Sequence, residues 1–228
     1  MKTIGIIGGV GPSTTAAFYM RVIQLVRELN GERPRLLIHS VPVPAKMEDH
    51  FLRTGEGIKH FVPLLQEATI SLQSGGADTI VMACNSLHHL SSEIREVLHI
   101  PFHSIVDASV QHLQRKGVKR VGVLGSPLTL QQSLYGEALS ECGIESVVPN
   151  KENQSMLGTI IHNIVFGKKG EDDEQQFMNV MNNVQKLHLN HLLLACTDLQ
   201  ELKSRHPECI THDTMEILAQ AVSKMANE

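Results

Sequence analysis

The 228-residue sequence lacks the long apolar run and the excess of one charge that several classes of protein require. No run approaches the roughly 20 apolar residues that span a bilayer, and residues 1–4 lead directly into a strand pattern without a signal-peptide layout. The formal net charge is −4, without the basic excess that nucleic-acid binding needs. The sequence therefore predicts a protein with neither membrane nor nucleic-acid partners.

The sequence also lacks the spacings of the common thiol and metal motifs. Its four cysteines show no CxxC pair, which predicts free thiols in a reducing cytoplasm and argues against a thiol oxidoreductase. Its 13 histidines are scattered and form no HExxH or CxxC…H pattern, so no metal site is expected.

The chain does contain a regular alternation of short apolar runs with segments of helical period. The apolar runs are almost continuous, as in parallel strands buried on both faces, and the alternation predicts an α/β fold with mostly parallel sheets flanked by helices. The predicted strands are residues 4–7, 36–39, 79–82, 102–105, 121–124, 146–148 and 192–194. The predicted helices are 13–29, 56–74, 86–98, 107–116, 128–142, 152–166, 172–188 and 214–226.

Two sequence segments recur about half a chain apart and indicate an internal repeat. The strand and glycine turn of residues 4–9 recur at 121–126, and an apolar run that ends in a cysteine occurs at both 80–84 and 192–196. We therefore expect two pseudo-symmetric Rossmann-like domains. The first comprises residues 1–100 and is completed by the C-terminal helix, about 212–228; the second comprises residues 101–211.

The two repeated cysteines, Cys84 and Cys196, are the leading catalytic candidates. Ligands of open α/β sheets bind at the carboxyl ends of the strands, and both cysteines are predicted there, each followed by small polar residues. A helix that starts at this point would lower the pKa of a thiol and bind a carboxylate. Two thiols facing each other across one cleft would suit inversion of a carbon stereocentre by proton removal and return. Inert core cysteines are the alternative.

Four neighbouring features each leave two interpretations open. The glycine turn at residues 8–14 lacks the GK[ST] and GxGxxG endings, so it either approaches a small anion or is a plain turn. His88 either orients a thiol or substrate, or caps a helix. Asp198 either accepts a substrate ammonium group or caps a helix. Lys46, in a predicted loop, is either solvated or holds a substrate carboxylate.

In this order along the chain, the motifs resemble those of the aspartate/glutamate racemase family. The matching segments are GGVGP at 8–12, CNSLH at 84–88 for the family's CNTxH, LGS at 124–126 with Thr129, ACTD at 195–198 for GCTE, and the pair Asp213-Thr214. The resemblance implies a cofactor-independent racemase, without pyridoxal phosphate or metal, that acts on aspartate or glutamate and is a homodimer. It implies catalysis by Cys84 and Cys196, with D-amino-acid metabolism as the setting. The substrate-binding residues expected with it are Gly9, Lys46, Asn85, Ser86, Ser126, Thr129, Lys168, Thr197 and Asp198.

Departures from the family pattern concern the substrate rather than the chemistry. Ser86 stands for Thr, Ala195 for Gly and Asp198 for Glu, and Lys46 falls where several members carry an arginine. Lysine makes a point contact with a carboxylate instead of a bidentate one. Maleate isomerase, hydantoin racemase and a non-catalytic binder of small acids remain alternatives, whereas an arylmalonate decarboxylase would need only one of the two cysteines.

Overall fold

The computed structural model describes residues 2–205 and 209–227, and its strands form two parallel four-stranded sheets. The first sheet has the order β2-β1-β3-β4, and its strands are β1 (Thr3–Gly8), β2 (Arg35–Ser40), β3 (Thr79–Met82) and β4 (Phe102–His103). The second has the order β6-β5-β7-β8, and its strands are β5 (Arg120–Gly125), β6 (Glu145–Val147), β7 (His191–Ala195) and β8 (Ile210–Asp213). The two sheets share one topology, and the predicted α/β fold class is confirmed.

Helices flank both sheets and connect their parallel strands. They are α1 (Pro12–Asn30), α2 (Ala45–Thr54), α3 (Val62–Ser74), α4 (Ser91–Arg95), α5 (Ile105–Arg115), α6 (Pro127–Gln131), α7 (Gly136–Glu141), α8 (Lys151–Val165), α9 (Glu171–Gln185) and α10 (Thr214–Ala226). Short 3₁₀ segments cover Ile58–Phe61, Ser86–Leu90 and Thr197–Arg205. Within the described ranges, no helix combines the length and apolarity needed to cross a membrane.

The central strands form the buried core of each sheet. Every residue of β1 and β3 is buried, and in β7 only the first residue, His191, is partly exposed. Such continuous burial requires cover on both faces of the sheet, which explains why these strands appear in the sequence as unbroken apolar runs.

The chain divides into two compact units that interleave along the sequence. The first unit consists of the residues up to Pro44, Gly57–Ser109, and those from Met215 onward; the second consists of Ala45–Glu56 and Val110–Thr214. This division differs from the sequence expectation, which gave residues 45–56 to the first domain and ended that domain at residue 100. Residues 45–56 belong to the second unit because α2 buries Phe51 and packs on α6 and α8.

Several local predictions were wrong. The single helix expected at 128–142 is two short helices, α6 and α7. The loop expected to carry Lys46 is the helix α2. The single helix expected at 86–98 is a 3₁₀ turn followed by the five residues of α4. The strand β8 was missed, because three of its four residues, Thr211, His212 and Asp213, are polar and give no apolar run.

Candidate active site

In the first unit, Cys84 leaves the carboxyl end of the sheet beside the glycine turn. Strands β1 and β3 are neighbours, and Ile7 pairs with Met82, so the residues that follow each strand emerge together. Cys84 is half-buried, while Asn85 and Ser86 are buried. The structure thus brings four predicted site residues, Gly9 included, to one sheet edge.

Gly9 has its backbone amide satisfied within the protein. Its N–H donates to the Thr15 hydroxyl at 3.0 Å, and its φ of +85° lies in the left-handed region that favours glycine. A Cβ at this position would lie 2.6 Å from the backbone nitrogen of Val41. The glycine is therefore required by the tight turn itself.

His88 uses both ring nitrogens to hold the segment that carries Cys84. Its Nδ1–H donates to the Cys84 carbonyl at 2.6 Å, and its Nε2 accepts the Ile105 backbone N–H at 3.1 Å. The ring is stacked on Phe102 with centroids 5.6 Å apart. Burial lowers the pKa of His88 from 6.5 to about 4, against the opposing effect of the bond to Cys84. His88 is therefore a neutral positioning residue that bonds to the backbone of Cys84.

In the second unit, Cys196 occupies the corresponding position. Strands β5 and β7 are neighbours, and Gly125 pairs with Ala195, so Ser126 and Cys196 emerge side by side. Cys196 is 8% exposed, and Thr197 is buried. The sequence repeat thus corresponds to the same strand-end position in each sheet.

Ser126 and Thr129 bond to each other at the start of α6. The Ser126 Oγ accepts the Thr129 backbone N–H at 3.3 Å and donates to the Thr129 Oγ1 at 3.1 Å. Both residues are buried. Their first role is thus a helix N-cap, which fixes the turn next to Cys196.

Asp198 is a direct partner of the Cys196 thiol. The Sγ donates to Asp198 Oδ2 at 3.6 Å. Glu48, on α2, is half-buried, and burial together with the negative charge of Asp198 raises the pKa of its carboxyl group. A carboxylate in contact with a thiol can receive its proton, which leaves a thiolate beside a neutral carboxyl group.

Sequence reasoning missed Glu48 because the segment was interpreted as a loop. The available signal was the apolar pair Met47 and Phe51, spaced four residues apart as on one face of a helix. Recognition of that helix would have placed Lys46 and Glu48 on a single element.

The two predicted lysines lie in the second unit. Lys46 is exposed near the start of α2. Lys168 is exposed beyond the end of α8, with its Nζ 6.0 Å from the centre of the Phe166 ring, on the wall of a cleft that includes neither Cys196 nor Ser126. The same cleft includes Pro127, the residue that follows Ser126, and the role of Lys168 in substrate binding stays a prediction.

Three histidines of the second unit form a hydrogen-bonded chain. His212 lies in the middle, 3.2 Å from His112 and 3.0 Å from His191. Burial, followed by the charges of His112 and His191, lowers the pKa of His212 to about 4. The ring nitrogens bond to one another in pairs, and within the described ranges no group of three or more His, Cys, Asp or Glu side chains is arranged to hold a metal ion.

Comparison with known proteins gives one consistent result. The profile of a family described as Asp/Glu/hydantoin racemase matches residues 7–222. A broad-specificity amino-acid racemase of Bacillus subtilis is 27% identical over 201 residues, which cover 86% of this chain and 85% of the relative. The structure of an aspartate racemase homologue from Pyrococcus horikoshii is similar with a TM-score of 0.80 and 28% identity, over 100% of both chains. That of the Picrophilus torridus aspartate racemase gives 0.81 and 26%, over 100% of this chain and 95% of the other.

Proposed function

The chain belongs to the Asp/Glu/hydantoin racemase family, and from that premise we propose that it racemises a free amino acid by proton transfer between the α-carbon and two cysteines, Cys84 and Cys196. The observation that carries the proposal is shared by both sheets, which have one strand order: in each, a cysteine and then buried polar residues follow the third strand along the chain. One inert core cysteine is ordinary. Two at the same topological position in an amino-acid racemase family support a paired role.

In the proposed reaction, one thiolate removes the α-proton and the other thiol delivers a proton to the opposite face of the carbon. The two cysteines exchange roles with the handedness of the substrate, which requires both sulfurs to reach one α-carbon. Asn85 and Thr197, together with backbone N–H groups of the two turns, stabilise the enolate charge that develops on the α-carboxylate.

Asp198 is the proposed acceptor of the Cys196 proton. The 3.6 Å contact from Sγ to Oδ2 supports this role, because a thiol that must act as a base needs a nearby group to take its proton. Glu48 supplies a second carboxyl beside Asp198, and the pair also offers a site for the substrate ammonium group. Loss of either carboxyl should lower the rate without unfolding the second unit.

Aspartate or glutamate is the proposed substrate, processed without cofactor. The support is the similarity to aspartate racemase structures and the position of Lys46, whose exposed ammonium group on α2 can pair with a side-chain carboxylate. We further propose that the enzyme works in the cytoplasm as a homodimer, on the strength of the family resemblance.

Replacement of each cysteine by alanine tests the mechanism. Cys84→Ala and Cys196→Ala should each abolish racemisation of aspartate and glutamate, measured by chiral chromatography, with losses of at least about 10²–10⁴ in rate. Each variant should still exchange the α-proton of one enantiomer with deuterated water, because one base remains. The two variants should prefer opposite enantiomers.

Cys142→Ala is the matched control, since Cys142 is also a half-buried free cysteine but lies at the end of α7. It should keep the wild-type rate. If either strand-end variant racemised its substrate at near wild-type rate, that cysteine would be structural and the two-base mechanism would be wrong.

A further inference from the structure

A hydrogen bond joins the two helices that carry the lysines expected to bind substrate. The Nε2–H of His162, on α8, donates to Asp49 Oδ1, on α2, at 2.7 Å. Lys46 precedes Asp49 on α2, and Lys168 follows the end of α8. Both helices belong to the second unit. The bond therefore links the helix that bears Lys46 to the helix that leads into Lys168.

The two helices run in opposite directions. The start of α6 packs against Gly55, just past the end of α2, and against Gly158 of α8: a Cβ at Gly55 would lie 3.7 Å from one α6 side chain, and a Cβ at Gly158 would lie 2.9 Å from another. From this point the hydrogen-bonded pair is reached by going backward along α2 and forward along α8. The same direction leads on to Lys46 and Lys168, so both lysines lie toward one end of the helix pair.

This layout lets the two lysines converge on one carboxylate. Residues three apart on a helix share a face, so Lys46 lies on the face of α2 that carries Asp49 and meets α8. At a rise of 1.5 Å per residue, Lys46 lies about 4–5 Å along α2 from the bonded pair, and Lys168 lies at most about 9 Å along α8. Each ammonium group is carried on a flexible four-carbon stem, which covers the remaining difference.

Lys168 is fixed to the end of α8 by its own contacts. Its backbone N–H donates to the Asn163 carbonyl at 2.7 Å, and its Nζ lies 6.0 Å from the centre of the Phe166 ring. The Phe166 ring in turn contacts the ring of His162, with centroids 4.7 Å apart. The His162 ring thus packs toward Lys168, while its N–H donates toward the helix of Lys46.

Asp49 is held ionised as the acceptor of this bond. Hydrogen bonds from His162 first, and from Arg53 second, keep the pKa of Asp49 below its usual value. The Arg53 bond, from Nε at 3.0 Å, comes from the same helix and cannot set the distance between helices. The His162 bond spans them, and its donor side chain is only 8% exposed.

We propose that His162 is a positioning residue for substrate binding: by donating to Asp49, it holds Lys46 opposite Lys168, so that both ammonium groups contact the side-chain carboxylate of the substrate. The inference rests on the racemase function proposed above and names the residue that sets the affinity for acidic substrates. A charge contact that is displaced by even a fraction of its length loses much of its effect, although the residue that moved it never touches the substrate.

Calorimetric titration with succinate and glutarate tests the proposal without turnover, because these diacids have the carbon skeletons of aspartate and glutamate but no stereocentre. His162→Phe keeps a ring beside Phe166 and removes the N–H donor, so it should weaken binding of the tighter diacid about tenfold. His162→Gln retains an N–H donor and should bind within about threefold of the wild type. Asp49→Ala removes the acceptor instead and should match His162→Phe.

Two further measurements separate positioning from a general structural role. Because His162 acts through Lys46, the double variant His162→Phe/Lys46→Gln should bind within about twofold of Lys46→Gln alone. In racemisation assays, His162→Phe should raise KM for the acidic substrate more than it lowers kcat. Arg53→Met is the matched control: it removes a hydrogen bond to the same Asp49 oxygen but leaves the link between the helices, and it should bind as the wild type does.

Circular dichroism shows whether each variant keeps its fold. The proposal is overturned if the wild type binds neither diacid, if His162→Phe and Asp49→Ala bind as the wild type does, or if Arg53→Met weakens binding equally. It is also overturned if the losses from His162→Phe and Lys46→Gln add in full. A wild-type protein that binds the diacids but racemises neither aspartate nor glutamate would refute the proposed function alone.

Discussion

Replacement of His88 should change how the stability of the protein depends on pH. In the native state His88 is neutral with a pKa of about 4, whereas in the unfolded chain its pKa is near 6.5. As pH falls from 6.5 towards 4, the unfolded state takes up a proton that the native state does not. Above pH 6.5 the titration of His88 therefore costs no stability. As the pH falls from 6.5 to about 4, it lowers the free energy of unfolding progressively.

The magnitude follows from the two pKa values. When the pH is lowered from 7.5 to 5, a group with these two pKa values lowers the free energy of unfolding by about 2 kcal/mol. His88→Gln removes the titrating ring but can still accept the Ile105 N–H, so its loss of stability at pH 7.5 comes from the loss of the His88 bond to the Cys84 carbonyl and of the stacking on Phe102. That loss should be about 1–3 kcal/mol.

Urea denaturation of wild type and His88→Gln at pH 7.5 and pH 5 measures both effects. The variant should start less stable, and it should lose about 2 kcal/mol less than the wild type on acidification. His212 also has a pKa of about 4, but it is present in both proteins and cancels in the difference. An identical fall in stability for the two proteins would refute the assignment of His88 as a buried neutral residue.

Two other predictions follow from close contacts. Gly125→Ala would place a Cβ 2.8 Å from the Ala195 carbonyl oxygen. It should therefore destabilise the protein by about 1–3 kcal/mol in thermal unfolding and reduce the racemase rate. Gly170→Ala is the control, because the space around Gly170 is open, and it should have neither effect. Arg21 donates from two nitrogens to both oxygens of Glu216, each at 2.7 Å. A double-mutant cycle with Arg21→Met and Glu216→Gln should therefore give a coupling free energy of about 1 kcal/mol. This coupling should shrink in 1 M salt, and its absence at low salt would contradict the prediction.

The fold class could be predicted because the central strands are uniformly apolar. Strands such as β1, β3 and β7 are buried on both faces and therefore carry unbroken apolar runs, and the repeat of the cysteine segment follows from the shared strand order. The location of Cys84 and Cys196 at strand ends needed only these runs. The proposed roles of the two thiols stay predictions.

The missed features depend on contacts between residues distant in sequence. The helix α2 follows two prolines and is recognisable only by its buried face, so its membership of the second unit could not be predicted from its position in the first half of the chain. Strand β8 can be polar because both ring nitrogens of its His212 form hydrogen bonds to other histidines, 100 and 21 residues away in the sequence. The tautomer of His88 likewise depends on Ile105, a partner 17 residues away.

The interleaved chain path has a consequence for synthesis on the ribosome. Domains generally fold in the order in which they emerge. Here the first unit needs α10, of which Met215, Ile217, Leu218, Ala219, Val222 and Ala226 are buried. The second unit is complete once Thr214 has emerged. The unit that begins first must therefore finish last, and its core stays incomplete during most of translation. A nascent chain stalled before residue 214 should expose the apolar surface that α10 covers, and chaperones should bind there.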